Sequence, residues 1–202
     1  MKKLITMAVV ALAATFGTLS ASAEDWWIGG SIGYWHESSN GGINDPDQNS
    51  YMVMPSIGYN FNPKWAAHVG LGFEANHFCG GKLTEKGDLV KSNYMFSFNP
   101  YLRYTYYRSS NNLVQLYLDG GGGIGLGWSD YKHGDNHTAV TWEVGIKPGV
   151  SFNITPKFSI SATLGMIGYQ GANNAAKDGG HKAKGGILLD STNLNLGFYY
   201  NF

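Results

Sequence analysis

The chain has 202 residues, with 14 Lys and Arg against 14 Asp and Glu, 29 Gly, 14% aromatic residues and a single Cys. This even balance offers no basic surface for nucleic acid, and one Cys excludes an internal disulfide framework, leaving Cys79 as a lone thiol. Glycine and aromatic residues at this density, falling mostly in strand-like stretches, suit a β protein better than a helical one.

Lys2 and Lys3, the apolar run from Leu4 to Thr18 and the small residues Ala21, Ser22 and Ala23 make the three parts of a secretory signal peptide. Residues 1–23 are therefore expected to be removed and residues 24–202 to form one mature domain. Without Lys2 and Lys3 that domain carries 12 basic and 14 acidic residues. The leader run is too short to span a bilayer, and no later stretch supplies the roughly 20 apolar residues of a spanning helix. No Cys stands near the cleavage point, so no lipid anchor is expected.

From Trp26 onward the chain alternates apolar and polar residues with period two, the mark of a strand with two unlike faces. Eight stretches show it. The first sets Ile28, Gly30, Ile32 and Tyr34 against Gly29, Ser31 and Gly33, and the second sets Tyr51, Val53, Pro55, Ile57, Tyr59 and Phe61 against Ser56, Gly58 and Asn60. The third opposes Trp65, Ala67, Val69, Leu71 and Phe73 to Ala66, His68, Gly70, Gly72 and Glu74. The fourth opposes Phe96, Phe98, Pro100, Leu102, Tyr104 and Tyr106 to Ser97, Asn99, Arg103 and Thr105. The fifth carries Val114, Leu116, Leu118 and Ile124 opposite Gln115, Tyr117, Asp119 and glycines. The sixth carries Val140, Trp142, Val144, Ile146, Pro148, Val150 and Phe152 opposite Thr141, Glu143, Lys147, Ser151 and Asn153. The seventh places Phe158, Ile160, Ala162, Leu164 and Met166 away from Ser159, Ser161, Thr163 and Gly165. The eighth ends the chain with Leu194, Leu196, Phe198, Tyr200 and Phe202 opposite Asn193, Asn195, Gly197 and Asn201.

The apolar face is free of charge except for Asp190, where the eighth stretch leaves its loop. Lys or Arg at mid-bilayer on a barrel's lipid face costs about 2–4 kcal/mol, so a face without charges is what lipid contact demands. The polar face is Gly, Ser, Asn and Thr with few charges, which suits an enclosed lumen. The pattern predicts an all-β fold, an eight-stranded antiparallel up-and-down transmembrane β-barrel.

The connections alternate in length. Short ones lie at Asn62-Pro63, Arg108 to Asn112 and Thr155-Pro156; long polar ones lie near His36 to Ser50, Ala75 to Ser92, Trp128 to Thr138 and Gln170 to Gly185. Outer-membrane barrels have short periplasmic turns and long external loops, so both termini are expected in the periplasm. Trp26, Trp65, Tyr106, Phe152, Phe158 and Tyr200 then mark the lower aromatic girdle, and Tyr34, Tyr51, Phe73, Tyr94, Trp142 and Tyr169 the upper one. A loose repeat, Pro55 to Tyr59, Pro100 to Tyr104 and Pro148 to Phe152, recurs about every 45 to 48 residues. A Pro inside a ladder lacks an N–H donor, so β-bulges are expected at these three prolines.

Four phrases carry a family resemblance: Trp27 to Tyr34, Gly58 to Trp65, Phe152 to Phe158 and the terminal Leu194 to Phe202. With them the chain resembles the small outer-membrane β-barrel family, the OmpA-transmembrane and OmpX-like group, in the version common among exported barrel proteins of Bacteroidota. The likeness covers essentially all of residues 24–202. It implies that Leu194, Leu196, Phe198, Tyr200 and Phe202 form the signature read by the barrel-assembly machinery. The chain stops at Phe202, and no peptidoglycan-binding domain is expected after it.

Several constellations invite chemistry. An eight-stranded barrel is only wide enough for its own side chains, so Arg103, Asp119 and Lys147, with Glu74 and Glu143 nearer the outer end, are expected to form a mutually paired plug; a gated ion path is the alternative. Gly120, Gly122 and Gly125 match GxGxxG, but no helix N-terminus follows to hold phosphates; the glycines more plausibly make room for Tyr101, Arg103 and Tyr117. His36, His77, His133, His137 and His181 lie in loops, and His133, Asp135 and His137 could approach one metal ion, although solvated loop residues are the commoner case and no metal or cofactor is expected. His36 and Ser38, with Asp190 beside them once a barrel closes, form the sharpest enzymatic option, cleavage of a lipid ester. The leading expectation is a non-enzymatic outer-membrane protein, porin-like in architecture, contributing to envelope integrity and holding four loops outward. Its expected partners are outer-membrane lipid and lipopolysaccharide around the belt, the barrel-assembly machinery, and an unknown extracellular ligand at the loops. No nucleic acid is expected, and the barrel is expected to be a monomer.

Overall fold

The structure is a computed structural model and describes residues 25–38, 46–83, 87, 89–131, 138–178, 183–188 and 194–202. The expected signal peptide lies outside these residues. Six strands form the first six staves: β1 (Trp26–Glu37), β2 (Gln48–Asn60), β3 (Trp65–Leu83), β4 (Leu89–Arg108), β5 (Val114–Tyr131) and β6 (Thr138–Asn153). The seventh stave is β7 (Phe158–Leu164) continued by β8 (Met166–Ala172), and the eighth is β9 (Lys184–Leu188) continued by β10 (Leu194–Asn201). A short helix, α1 (Asn174–Asp178), lies between the seventh and eighth. Each stave pairs antiparallel with the next, and β1 closes the cylinder on β10 through Trp27–Ser31 and Gly197–Asn201. Beyond Ser31, β1 continues paired with β2 while β10 continues paired with β7.

The alternating face decides which way each strand is turned. Val144 is 61% exposed and Leu126 53%, whereas Tyr117 on the other parity is 1% exposed. The apolar face therefore looks outward and the Ser, Asn and Gly face inward. On β6 the outward Trp142 and Phe152 are ten residues apart, and at a rise of about 3.3 Å and a tilt near 40° they bracket about 25 Å, the height of a barrel's apolar band. Aromatic pairs mark both levels: Trp26 with Tyr59 at 5.1 Å and Trp65 with Tyr104 at 4.7 Å below, Tyr34 with Tyr51 at 5.2 Å and Phe73 with Phe96 at 4.9 Å above.

Two short turns share one chemistry. Asn62 Oδ1 accepts hydrogen bonds from the backbone N–H groups of Lys64 and Trp65 at 2.9 and 3.0 Å, and Thr155 Oγ1 does the same for Lys157 and Phe158 at 3.3 and 3.0 Å. In each, a Pro follows the capping residue and presets φ for the turn.

The prolines within the staves behave differently from expectation. Pro55 pairs with Gly30 on one side, and on the other the β2–β3 ladder skips Met54 and Pro55 and resumes in the same register at Ser56. At Pro100 the β4–β5 ladder skips from Phe98 to Tyr101, again without a register change. The missing donor is absorbed by an open rung, not by an inserted residue, because the strand on the opposite side keeps each proline in line. Near Pro148 there is a bulge, but it lies on the neighbouring stave. Ile146 pairs with Ile167 and Gly149 with Thr163, so two β6 residues face Leu164, Gly165 and Met166. Gly165 has φ +77°, a conformation glycine adopts without penalty.

That bulge reverses the parity of the stave. Met166, expected on the outer face with Leu164, is 2% exposed and points inward, while Ile167 and Tyr169 take the lipid side. The strands also run well past the expected loop boundaries. Much of the segment from Ala75 to Ser92 belongs to β3 and β4, and the segment from Gln170 to Gly185 contains the end of β8, α1 and the start of β9. Beyond the girdle the ladder continues where the apolar alternation stops, and side chains such as Phe78 and Val90 stay buried there.

Candidate functional site

Across the middle of the lumen, Arg103 and Asp119 are direct ladder partners on β4 and β5, both on the inward parity. Arg103 Nε donates to Asp119 Oδ1 and Nη2 to Oδ2, each at 2.8 Å, a bidentate fork. The guanidinium carbon lies 3.7 Å from the centre of the Tyr117 ring, and Trp27 and Tyr199 flank it at 5.7 and 5.8 Å. Tyr117 fits because its ring lies where a Cβ on Gly149 would stand. His68 Nε2 lies 3.2 Å from Asp119 Oδ2 without the alignment of a hydrogen bond. The Arg103 and Asp119 side chains are 14% and 6% exposed.

A second cluster lies on the long-loop side. Glu143 accepts from Lys147 Nζ at 2.6 Å, from Gln170 Nε2 at 3.3 Å and from the Tyr101 hydroxyl. The Lys147 ammonium lies 4.7 Å from the Tyr101 ring centre. Tyr101 also stacks on His68 at 5.6 Å and 23°, which joins the two clusters through aromatic faces. Lys147 is the ladder partner of Asp119, yet its ammonium turns to Glu143 four residues back.

Four of the five charges expected to plug the lumen thus stand in two linked clusters. Glu74 stands apart, accepting from Asn76 Nδ2 at 2.7 Å, while Asn76 accepts from Gln48. It lies higher on β3, opposite Met52 and Met95. His68, Trp27 and Tyr199 are the members that reasoning from sequence missed; Tyr101 was legible as an inward ring beside Arg103, but its bond to Glu143 was not. His68 was legible as an inward residue, but its neighbour Asp119 is two staves away, and only the β3–β4–β5 register brings them together.

Above both clusters buried polar side chains, among them Ser50, Asn76 and Ser129, share the lumen with an apolar group. Met95, Ala139, Ala172 and Ala176 form one buried cluster, with Ala176 contributed by α1. Asn173 pins the helix there: its Oδ1 accepts from the N–H groups of Val140 and Ala176, and its Nδ2 donates to the Thr138 carbonyl.

The other sequence motifs separate on the structure. Gly120, Gly122 and Gly125 lie within uninterrupted strand, with no helix to receive a phosphate. His36 Nδ1 is 3.0 Å from Asn49 Oδ1, which also accepts from the Tyr34 hydroxyl; Ser38 is exposed just past β1, and Asp190 lies outside the described residues. His77 is bonded to Ser92 at 3.0 Å. His133, Asp135, His137 and His181 lie outside the described residues, and among those described no three His, Cys, Asp or Glu side chains converge as a metal site. Leu196, Phe198 and Tyr200 face outward along β10, with Leu194 at its start and Phe202 just past its end. Phe158, Phe198, Tyr106 and Phe152 lie on the same outward face.

The outward apolar belt and the filled, polar lumen define a membrane-spanning barrel, and comparison with known proteins bears on which kind. The profile of the family described as outer membrane protein beta-barrel domain matches residues 6–202. The chain belongs to this family. As an outer-membrane β-barrel protein it is integral to the outer membrane. Among solved structures it is similar to Neisserial surface protein A, with 16% identity over 89% of this chain and 98% of that one and a TM-score of 0.48. It is also similar to the N-terminal β-barrel domain of Pseudomonas aeruginosa OprF, at 13% identity over 89% and 98% with a TM-score of 0.47. A third is the Yersinia pestis outer membrane protein Ail, at 18% identity over 88% and 99% with a TM-score of 0.45. A sequence comparison with curated proteins gives no match.

Proposed function

We propose that this outer-membrane β-barrel protein is a non-enzymatic, non-conducting anchor that contributes to envelope integrity and displays its long loops outward. The supporting observation is the filled lumen: a layer of buried ion pairs and aromatic rings below, and an apolar cluster capped by α1 above. Ion passage would require both to part at once. Purified protein in planar bilayers is expected to show no discrete conductance steps; steps of reproducible size would sink the anchor reading in favour of a channel.

The same reading places the short turns and both termini in the periplasm, after removal of residues 1–23 and recognition of the Leu194–Phe202 signature by the barrel-assembly machinery. Lipid and lipopolysaccharide would surround the outward belt of a single copy. Cys79, exposed near the far end of β3, reports the orientation. A membrane-impermeant maleimide is expected to label it on intact cells. Labelling only after the outer membrane is permeabilised would reverse the assignment. Recognition at the surface belongs to the segments beyond the girdle, because loops held on a rigid scaffold are where binding resides.

A further inference from the structure

At the short-turn end the lumen opens into a cavity of about 690 Å³, within the size range of small-ligand sites. Arg103 lies at its inner limit. Nε and Nη2 of Arg103 are engaged by Asp119, which leaves Nη1, a carrier of two further N–H donors, without a bonding partner among the described residues. The charged side chains lining the cavity are Arg103, Lys64 and Arg108 against Asp25; Asp119 is not among the lining residues. The walls between inner limit and rim are rich in amides. Asn60, Gln115 and Asn201 line the cavity, and their side-chain amides bond to no described residue.

Two ligand chemistries are called for at once. The cations draw in an anion, and a guanidinium edge matches the planar two-oxygen geometry of a carboxylate. Each wall amide offers both a donor and an acceptor, the pairing that a peptide group presents in return. A phosphate would use the cations and the amide N–H groups but matches the amide carbonyls poorly. A neutral sugar would use the amides but bring no charge to the cations. A peptide ending in a free carboxylate uses both.

We propose that this vestibule is a binding site for the carboxy-terminal end of a short peptide, with its carboxylate on Arg103 and its last peptide groups on Asn60, Gln115 and Asn201. The compartment that supplies the peptide rests on the orientation proposed above; the binding itself does not.

The test uses the folded barrel in detergent micelles. N-acetyl-trialanine, its C-terminal amide, inorganic phosphate and chitobiose are titrated in turn, followed by calorimetry and by the NMR resonance of the Arg103 Nε–H. The expected result is saturable binding of the acid with a shift of that resonance, and affinity for the amide lower by about tenfold, or roughly 1.4 kcal/mol. Because replacing Arg103 would strip Asp119 of its partner, the variants are chosen on the walls and rim. Gln115→Ala with Asn60→Ala is expected to weaken the peptide while leaving acetate unchanged, and Lys64→Gln with Arg108→Gln to weaken peptide and acetate alike. Equal binding of acid and amide, phosphate or chitobiose binding as tightly as the acid, or no saturation by the acid would each overturn the proposal. Acid-selective, saturable binding in micelles upholds the site whichever way Cys79 labels on cells, so the two readings fail separately.

Discussion

Asp119→Ala is expected to destabilise the barrel by about 3–5 kcal/mol, the cost of stranding one partner of a buried ion pair. The change leaves the Arg103 guanidinium, 14% exposed and clasped between Tyr117, Trp27 and Tyr199, without the carboxylate that receives two of its nitrogens. His68 loses its neighbouring charge in the same step. Arg103→Met combined with Asp119→Leu removes both charges and is expected to recover the loss of the single variant, about 3–5 kcal/mol, since the pair itself contributes far less than its half-removal costs. Lys147→Ala should be milder. Its side chain is 25% exposed, and Glu143 keeps Tyr101 and Gln170 as donors. Urea unfolding in lipid vesicles, with the shift in gel mobility on boiling as the check that each variant assembled, ranks the three. Equal losses from Asp119→Ala and Lys147→Ala would show that the lumen behaves as one solvated charge cloud and not as two distinct clusters.

The difference between those clusters bears on how far a barrel can be understood before its register is known. Alternation separates lumen from lipid with little ambiguity, because hydrocarbon tolerates no charge and the packed interior has little room for bulk. Val144, Leu126, Tyr117 and Asp119 all took the side their parity implies. Which inward residues touch is another matter. Arg103 and Asp119 meet because β4 and β5 pair with those two residues opposite; a shift of two would preserve every inward side chain and place Asp119 against another residue. Glu74 illustrates the consequence, since it shares parity with the other charges but stands too far along β3 to join them.

Local breaks in the period carry a further cost to inference. Gly165 looked like one more small lumen residue in a run of Ser, Thr and Gly, yet as a bulge it turned Met166 inward and Tyr169 outward. The stave prolines attracted the expectation of bulges because each lacks a donor, but Pro55 and Pro100 leave a rung open without changing register. A missing hydrogen bond and an inserted residue are distinct solutions to the same loss, and residue type alone does not choose between them. The segments beyond the girdles were hardest to read, since strand continues there without any apolar stripe to announce it.

The lipid side yields the other large effect. Ile146→Arg is expected to cost about 2–4 kcal/mol, against roughly 0–1 kcal/mol for Thr138→Arg at the end of the same strand. Ile146 is 47% exposed, lies between the outward Trp142 and Phe152, and is flanked by Gly120 on β5 and Ile167 on β8. An arginine there has no lumen partner to reach and must stretch its guanidinium toward either headgroup region, thinning the bilayer or drawing in water. Thr138 begins β6 above Trp142, where the same side chain meets the interface directly. The two positions share one strand and one parity, so the backbone ladder is kept in both and the charge is placed at two depths of one face. Unfolding measured in lipid vesicles should therefore separate them. If both substitutions cost the same, the belt between the girdles is not in contact with hydrocarbon, because in a uniform solvent depth along the strand has no energetic meaning.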